Sequence, residues 1–274
     1  MRYETAHGVA RHRCAGYRLS RARVLRGVSV LSLDDRSGPD SAQTLFSAGD
    51  PDTYAYEASY TRDGELQREE RATVAEDGAA LVRHTSPELT TEWYQPPNAT
   101  AHHLIRYTVA DGAAIEAVLP LDDIETDAAQ SVLDVDRDAG TALVRANGSI
   151  VDGRLTEPGG TIVLSGLDRM SYDRTGESES QTVYEPKNGW YDALQEYRVT
   201  GASGEVHVDT DTERVSSADV SWTETRPADP YLRYALARLA GGDESVSFSL
   251  DYDLAVDAVT LDEPEWAGPL RANE

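Results

Sequence analysis

Cysteine is almost missing from this sequence. Cys14 is the only one, so no internal disulfide can form and no cysteine-built zinc or iron–sulfur site is available. Lysine is as scarce: Lys187 stands alone among 25 basic residues, the rest being arginine. Positive charge of any kind is short, since 49 Asp and Glu leave a net charge of −24. A phosphate backbone needs a cationic footprint, so no nucleic acid is expected as a partner. The same balance weighs against anionic lipid surfaces for the chain as a whole. No apolar run approaches the roughly 18 residues of a spanning helix, so no transmembrane segment is expected. The signatures G-x-S-x-G, G-x-x-x-x-G-K-[ST] and H-E-x-x-H are absent. With 49 acids, carboxylate pairs arise by number alone and do not argue for a glycosidase. The expectation is therefore a non-enzymatic protein with no cofactor and no metal.

Strong acidity with almost no lysine points to a salt-loving organism. A dense carboxylate surface keeps a protein soluble where the Debye length has shrunk to about 3 Å at 1 M salt. The charge is uneven. Residues 1–36 hold eight arginines against Glu4, Asp34 and Asp35, a balance of +5 that leaves −29 for the remainder. This start reads as a degenerate leader, a disordered basic arm, or residues translated from an upstream start. Asp34 to Pro51 is rich in Asp, Ser, Gly and Pro and reads as a linker. The expected division is a segment 1–50, one domain over 51–268, and a tail 269–274.

The clearest periodic signal is Glu244–Val256. Val246, Phe248, Leu250, Tyr252, Leu254 and Val256 alternate with Ser, Asp and Ala. Successive strand side chains point to opposite faces, so this is a half-buried antiparallel strand. From Thr53 onward, strands alternate with turn signals such as Asp63-Gly64, Asp77-Gly78 and Asp111-Gly112 at the spacing of a meander. Thr161–Ser165 reads as a short apolar strand, Asp173–Ser180 as a polar loop and Gly201–Gly204 as a turn. Ile124, Ala128, Val132 and Leu133 recur at helical spacing and predict a helix over 122–133. Asp229-Pro230 is an N-cap followed by proline at the first helical position, and predicts a helix over 229–240 with the stripe Leu232, Ala235, Leu236 and Leu239. The fold class expected is α+β, mainly β: one curved antiparallel sheet with short helices against one face.

Several local patterns suggest chemistry. Asp134–Gly140 begins like a calcium loop, but its glycine falls one place late and Arg145 occupies the bidentate glutamate position. Asp209–Glu213 reads as a solvated acidic turn. His102 and His103 are neighbours, so on a strand they face opposite ways and cannot chelate one metal. Asn98-Ala99-Thr100 and Asn147-Gly148-Ser149 match the glycosylation acceptor pattern. Tyrosine is abundant at 14, against 2 Phe. The strand-borne aromatics fit core packing. They also fit a cavity between sheet and helices that takes an apolar small molecule or lipid. Its expected lining is Tyr54, Tyr56, Trp93, Phe248, Leu250 and Tyr252, roofed by Leu232, Leu236 and Leu239 of the helix that precedes the best strand.

The Tyr-rich strand, R-D-G turn and T-E-W-Y of residues 53–94 resemble haloarchaeal surface lipoproteins of unassigned function. So do E-V-H-V-D-T-D, V-S-W-T, S-F-S-L-D-Y-D-L and E-P-E-W farther on. Such proteins are similar in fold to LolA-like lipoprotein carriers. The resemblance implies a half-barrel with helices on its concave side, lipid-type cargo, and an extracytoplasmic place at the cell surface. Family members carry a small-residue triplet before an acylated cysteine. Cys14 instead follows Arg11-His12-Arg13, so the resemblance does not extend to a lipobox.

The charge itself yields a prediction. Self-repulsion at −24 is relieved by screening, so the melting temperature should rise steeply from dilute buffer to molar NaCl or KCl. A melting temperature indifferent to salt would contradict the halophilic reading.

Overall fold

A computed structural model describes residues 46–47, 51–99, 101–110, 114–119, 121, 124, 127–151, 155, 159–190, 198–226, 231–242, 244–256 and 259–271. They belong to one compact unit, Asp35–Glu274. The basic arm and the residues after 271 lie outside the described residues.

Thirteen strands form one antiparallel sheet. They are β1 (Tyr54–Arg62), β2 (Glu65–Val74), β3 (Ala80–Thr85), β4 (Leu89–Gln95), β5 (His102–Val109), β6 (Gln130–Asp136) and β7 (Thr141–Asn147). After them come β8 (Ser171–Glu177), β9 (Gln181–Lys187), β10 (Gly189–Trp190), β11 (Arg198–Asp209), β12 (Val215–Arg226) and β13 (Glu244–Ala255). Four short helices are described: α1 (Ile115–Val118), α2 (Gly160–Leu167), α3 (Tyr231–Ala240) and α4 (Gly268–Arg271). The strand order is β6-β7-β5-β4-β3-β2-β1-β13-β12-β11-β9-β8, with β10 paired to β11 alone. The sheet is open, and its two ends are β6 and β8.

Two meanders are joined where the first strand meets the last. Tyr56, Ala58 and Tyr60 of β1 stand opposite Leu254, Tyr252 and Leu250 of β13. On the next strand Ala218, Val220 and Trp222 face Tyr252, Leu250 and Phe248. Period-2 alternation thus puts one continuous apolar face inside, as the Glu244–Val256 pattern predicts. The opposite face of β1, β13, β12 and β11 carries paired hydroxyls, among them Thr61 with Ser249 at 2.7 Å and Ser203 with Ser221 at 3.0 Å.

Helix α2 covers the inner face against β1 and β13. A side chain added at Gly166 would lie 3.0 Å from Leu250, and one at Gly159 would lie 3.0 Å from Tyr252, so this layer is tightly packed. The apolar run Thr161–Ser165 is therefore helical and not a strand. Short apolar runs do not fix their own period, and this one packs as a helix over β1 and β13, each already paired on both sides.

Three further expectations change for one shared reason. The predicted helix over 122–133 ends in strand β6 from Gln130, the predicted loop at 173–180 overlaps β8 over 173–177, and the predicted turn Gly201–Gly204 lies within β11. In each strand the register shifts at a bulge: between Val132 and Asp134, between Arg174 and Gly176, and between Thr200 and Ser203. A bulge inserts a residue and breaks the alternation by which strands are recognised. The linker reading of 34–51 gives way at Phe46, which is buried edge-on against Tyr172 and Tyr184 with ring centroids at 5.0 and 5.2 Å. The C-terminal segment is also structural. Trp266 and Ala267 cover Tyr94, Leu104 and Leu81 on the outer side of β3–β5 as a second, small core.

Just past the bulge, the close approach of β11 to β12 depends on one glycine. Gly204 has φ +112°, and a Cβ there would overlap the Asp219 carbonyl oxygen on β12. Gly204→Ala should cost about 2 kcal/mol or more, read by denaturant unfolding in molar salt. Gly242→Ala, which meets open space at an ordinary φ, should stay within about 0.5 kcal/mol. Equal effects would remove the role assigned to the close approach at Gly204.

Candidate functional site

The nine residues expected to line a ligand cavity do not come together as one. Tyr54, Tyr56, Trp93, Leu250 and Tyr252 are buried side chains of the main core. Phe248 is half-buried at the rim of the inner face. Leu232, Leu236 and Leu239 are 69%, 56% and 86% exposed, so they roof nothing. Helix α3 forms where predicted, but its stripe points to solvent. The place expected for it over the concave face is taken by α2, the helix between β7 and β8.

What sequence reasoning missed is polar, and it lies on the inner face. Alternation puts Glu70 and Arg68 of β2 on the same side as Ala58 and Tyr60, their cross-strand partners. The Tyr56 hydroxyl donates to Glu70 Oε1 at 2.6 Å, and Arg68 Nη2 donates to Glu70 Oε2 at 2.7 Å. Burial pushes the Tyr56 hydroxyl well above its ordinary pKa, and the Glu70 carboxylate adds to that. Tyr54 is anchored too, donating to the Leu155 carbonyl at 2.6 Å. These tyrosines hold the core together and present no free hydroxyl to a ligand.

A second inward cluster lies at the end of the sheet where β12 finishes and β13 begins. Glu224 is 5% exposed on the inner face of β12. Arg169 Nη1 approaches its Oε1 at 3.6 Å and Arg226 Nη2 its Oε2 at 3.9 Å, and the Trp222 indole N–H donates to it at 3.4 Å. All three contacts are long, so the carboxylate sits in a loose cationic setting and not in a tight ion pair. Tyr60, Arg62, Arg169, Glu224, Arg226, Glu244, Val246 and Phe248 enclose a pocket of about 340 Å³ here. Its wall is aromatic: Phe248 stacks on Tyr60 at 5.8 Å and on Trp222 at 5.5 Å. Burial raises the Tyr60 hydroxyl, with Arg169 and Arg62 pulling it down and Glu224 pushing it up. Three guanidinium groups against two carboxylates make this a locally positive spot in an acidic protein.

A larger groove of about 730 Å³ runs over the outer face. Glu57, Glu205, Asp219, Asp251 and Asp253 line it, together with His207. It is wide and solvated, and its carboxylates stand at the outward positions of the strands. Among the described residues no three His, Cys, Asp or Glu side chains converge as a metal site. The Asp134–Gly140 pattern is a hairpin turn in which Asp136 accepts the backbone N–H groups of Asp138 and Ala139 at 3.0 and 2.9 Å. Asp209 likewise closes its own turn on Thr212, whose hydroxyl and backbone N–H lower its pKa. His103 meets the Gly148 carbonyl at 2.9 Å. No helix among the described residues is long and apolar enough to cross a membrane.

No protein-family model and no curated protein matches the chain.

Tyr56, Tyr172 and Tyr252 all have hydroxyl pKa values raised chiefly by burial. The unfolded chain releases these protons near about pH 10, before the folded one does. Their contribution to stability is therefore complete below that pH and is lost as pH climbs above it. A share of the tyrosinate absorbance should appear only together with loss of the β-sheet circular dichroism. A smooth titration of all tyrosines near pH 10 with the sheet intact would contradict the burial.

Proposed function

We propose that this protein is a non-enzymatic, extracytoplasmic binding or carrier protein for an apolar, lipid-like ligand, and that the ligand carries an anionic head. The observation that carries the reading is the pocket where β12 meets β13. It joins an aromatic wall of Tyr60 and Phe248, with Trp222 stacked behind Phe248, to three arginines, Arg62, Arg169 and Arg226. An apolar surface with a few placed charged groups is what a small amphiphile needs. Arginine presents a planar fork suited to a carboxylate or phosphate head. A volume of about 340 Å³ takes such a head and the first carbons of a chain. The rest of the chain would run along the rim and not under α2, where Leu250 and Tyr252 are already covered.

The extracytoplasmic setting rests on the resemblance to surface lipoproteins. A second reading is a structural cell-surface protein with no ligand. The packed layer between α2 and the inner face favours it, since the core itself leaves Tyr54, Tyr56 and Leu250 buried.

Titration with a medium-chain alkyl phosphate in molar salt, followed by tryptophan fluorescence, separates the two. Trp222 stacks on the pocket wall and should report binding. An alkylammonium of the same length should bind at least tenfold more weakly. Arg169→Glu should weaken the phosphate by on the order of 1–3 kcal/mol, the range of hydrogen bonds to charged groups. Absence of any saturable response to the phosphate would favour the structural reading, and equal binding of both amphiphiles would remove the arginines from the site.

A further inference from the structure

We propose that helix α3 is an interfacial anchor that lays its leucine stripe on an anionic membrane surface. At 100° per residue Leu232, Leu236 and Leu239 fall within about 60° of arc. All three are exposed, Leu239 at 86%. Arg233 and Arg238 flank the stripe on either side, and both are exposed. From Tyr231 to Gly242 the chain carries no acidic residue, in a protein with 49 of them. The whole-chain charge opposes an anionic surface, but this helix carries two arginines and no acid.

Leucines bordered by arginines are the arrangement of a helix lying in the headgroup plane. The apolar side chains enter the acyl boundary while the guanidinium groups stay among the phosphates. A second copy of the chain fits less well. A ten-residue helix is about 15 Å long, and three leucines fall far short of the roughly 800 Å² per partner that a stable dimer buries. The membrane requires neither a matching shape nor a large area.

The position of the helix adds to this. It links Arg226 to Glu244, which pair across β12 and β13 and line the pocket described above. The anchor therefore stands at that end of the sheet. It does not depend on what the pocket binds, because membrane partition is read without a ligand.

The test is co-sedimentation of the full chain with vesicles of phosphatidylglycerol or of phosphatidylcholine, in molar NaCl so that the acidic body is screened. The protein should partition onto phosphatidylglycerol several-fold better than onto phosphatidylcholine. The double change Leu236→Glu and Leu239→Glu should lower that partition at least about tenfold. Its circular dichroism and melting temperature should stay unchanged, since both side chains are exposed. Three results would overturn the proposal: wild-type protein left in the supernatant, equal partition onto both lipids, or partition unaltered by the leucine changes. A wild-type dimer dissolved into monomers by those same changes would assign the stripe to a second copy instead.

Discussion

The structure depends on the pairing of β1 with β13. Eight residue pairs, from Ala55 with Ala255 to Arg62 with Phe248, join the two ends of the domain into one ladder. Ser59 and Asp251, which meet there, are 192 residues apart in the chain. Without this seam the protein would be two separate meanders, each with a long exposed edge. With it, the inner faces of β1, β2, β12 and β13 become one surface, and α2 has a single apolar floor to cover. The loop entropy of so distant a contact is offset only by burying that floor.

The seam also decides where polarity ends up. Tyr56, Ala58, Leu250, Tyr252 and Leu254 fill its inner side, and serine, threonine and aspartate fill its outer side. At one end the apolar rows run out, and Arg62, Glu224, Arg226 and Glu244 take inward positions on the same alternation. A buried carboxylate held only by long contacts costs stability that a hydrophobic side chain would not. Glu224 stands on the inner face with Arg169, Arg226 and the Trp222 indole around it. The outer acidic groove needs no such account. Its carboxylates stand at outward positions of the strands.

Much of the fold was legible. Strict alternation announced β1 and β13, and Asp-Gly pairs placed the turns after β1 and between β2 and β3. The failures were physical. Leu133, Gly176 and Gly201 fall at or beside bulges, where an inserted residue erases period 2. Ile162 and Val163 form a run too short to reveal its period. The site was read less well. Leu232, Leu236 and Leu239 form a true amphipathic stripe, but a stripe says only that one face is apolar, not what covers it. Glu224 and Arg226 belong to no motif that singles them out. The signal that could have found them is parity: Glu224 shares the face of Trp222 and Val220, which any inward count from the best strand would have shown.

The central claim is that the pocket between Tyr60, Arg169 and Glu224, and not the outer groove, is where this protein meets a small molecule. Hydrogen exchange in molar salt, with and without saturating dodecyl phosphate, tests it most directly. The account predicts added protection at Thr223–Arg226, at Glu244–Phe248 and around Arg169. Protection at Gly204–His207 and Asp251–Asp253 instead, or nowhere in the sheet, would contradict it.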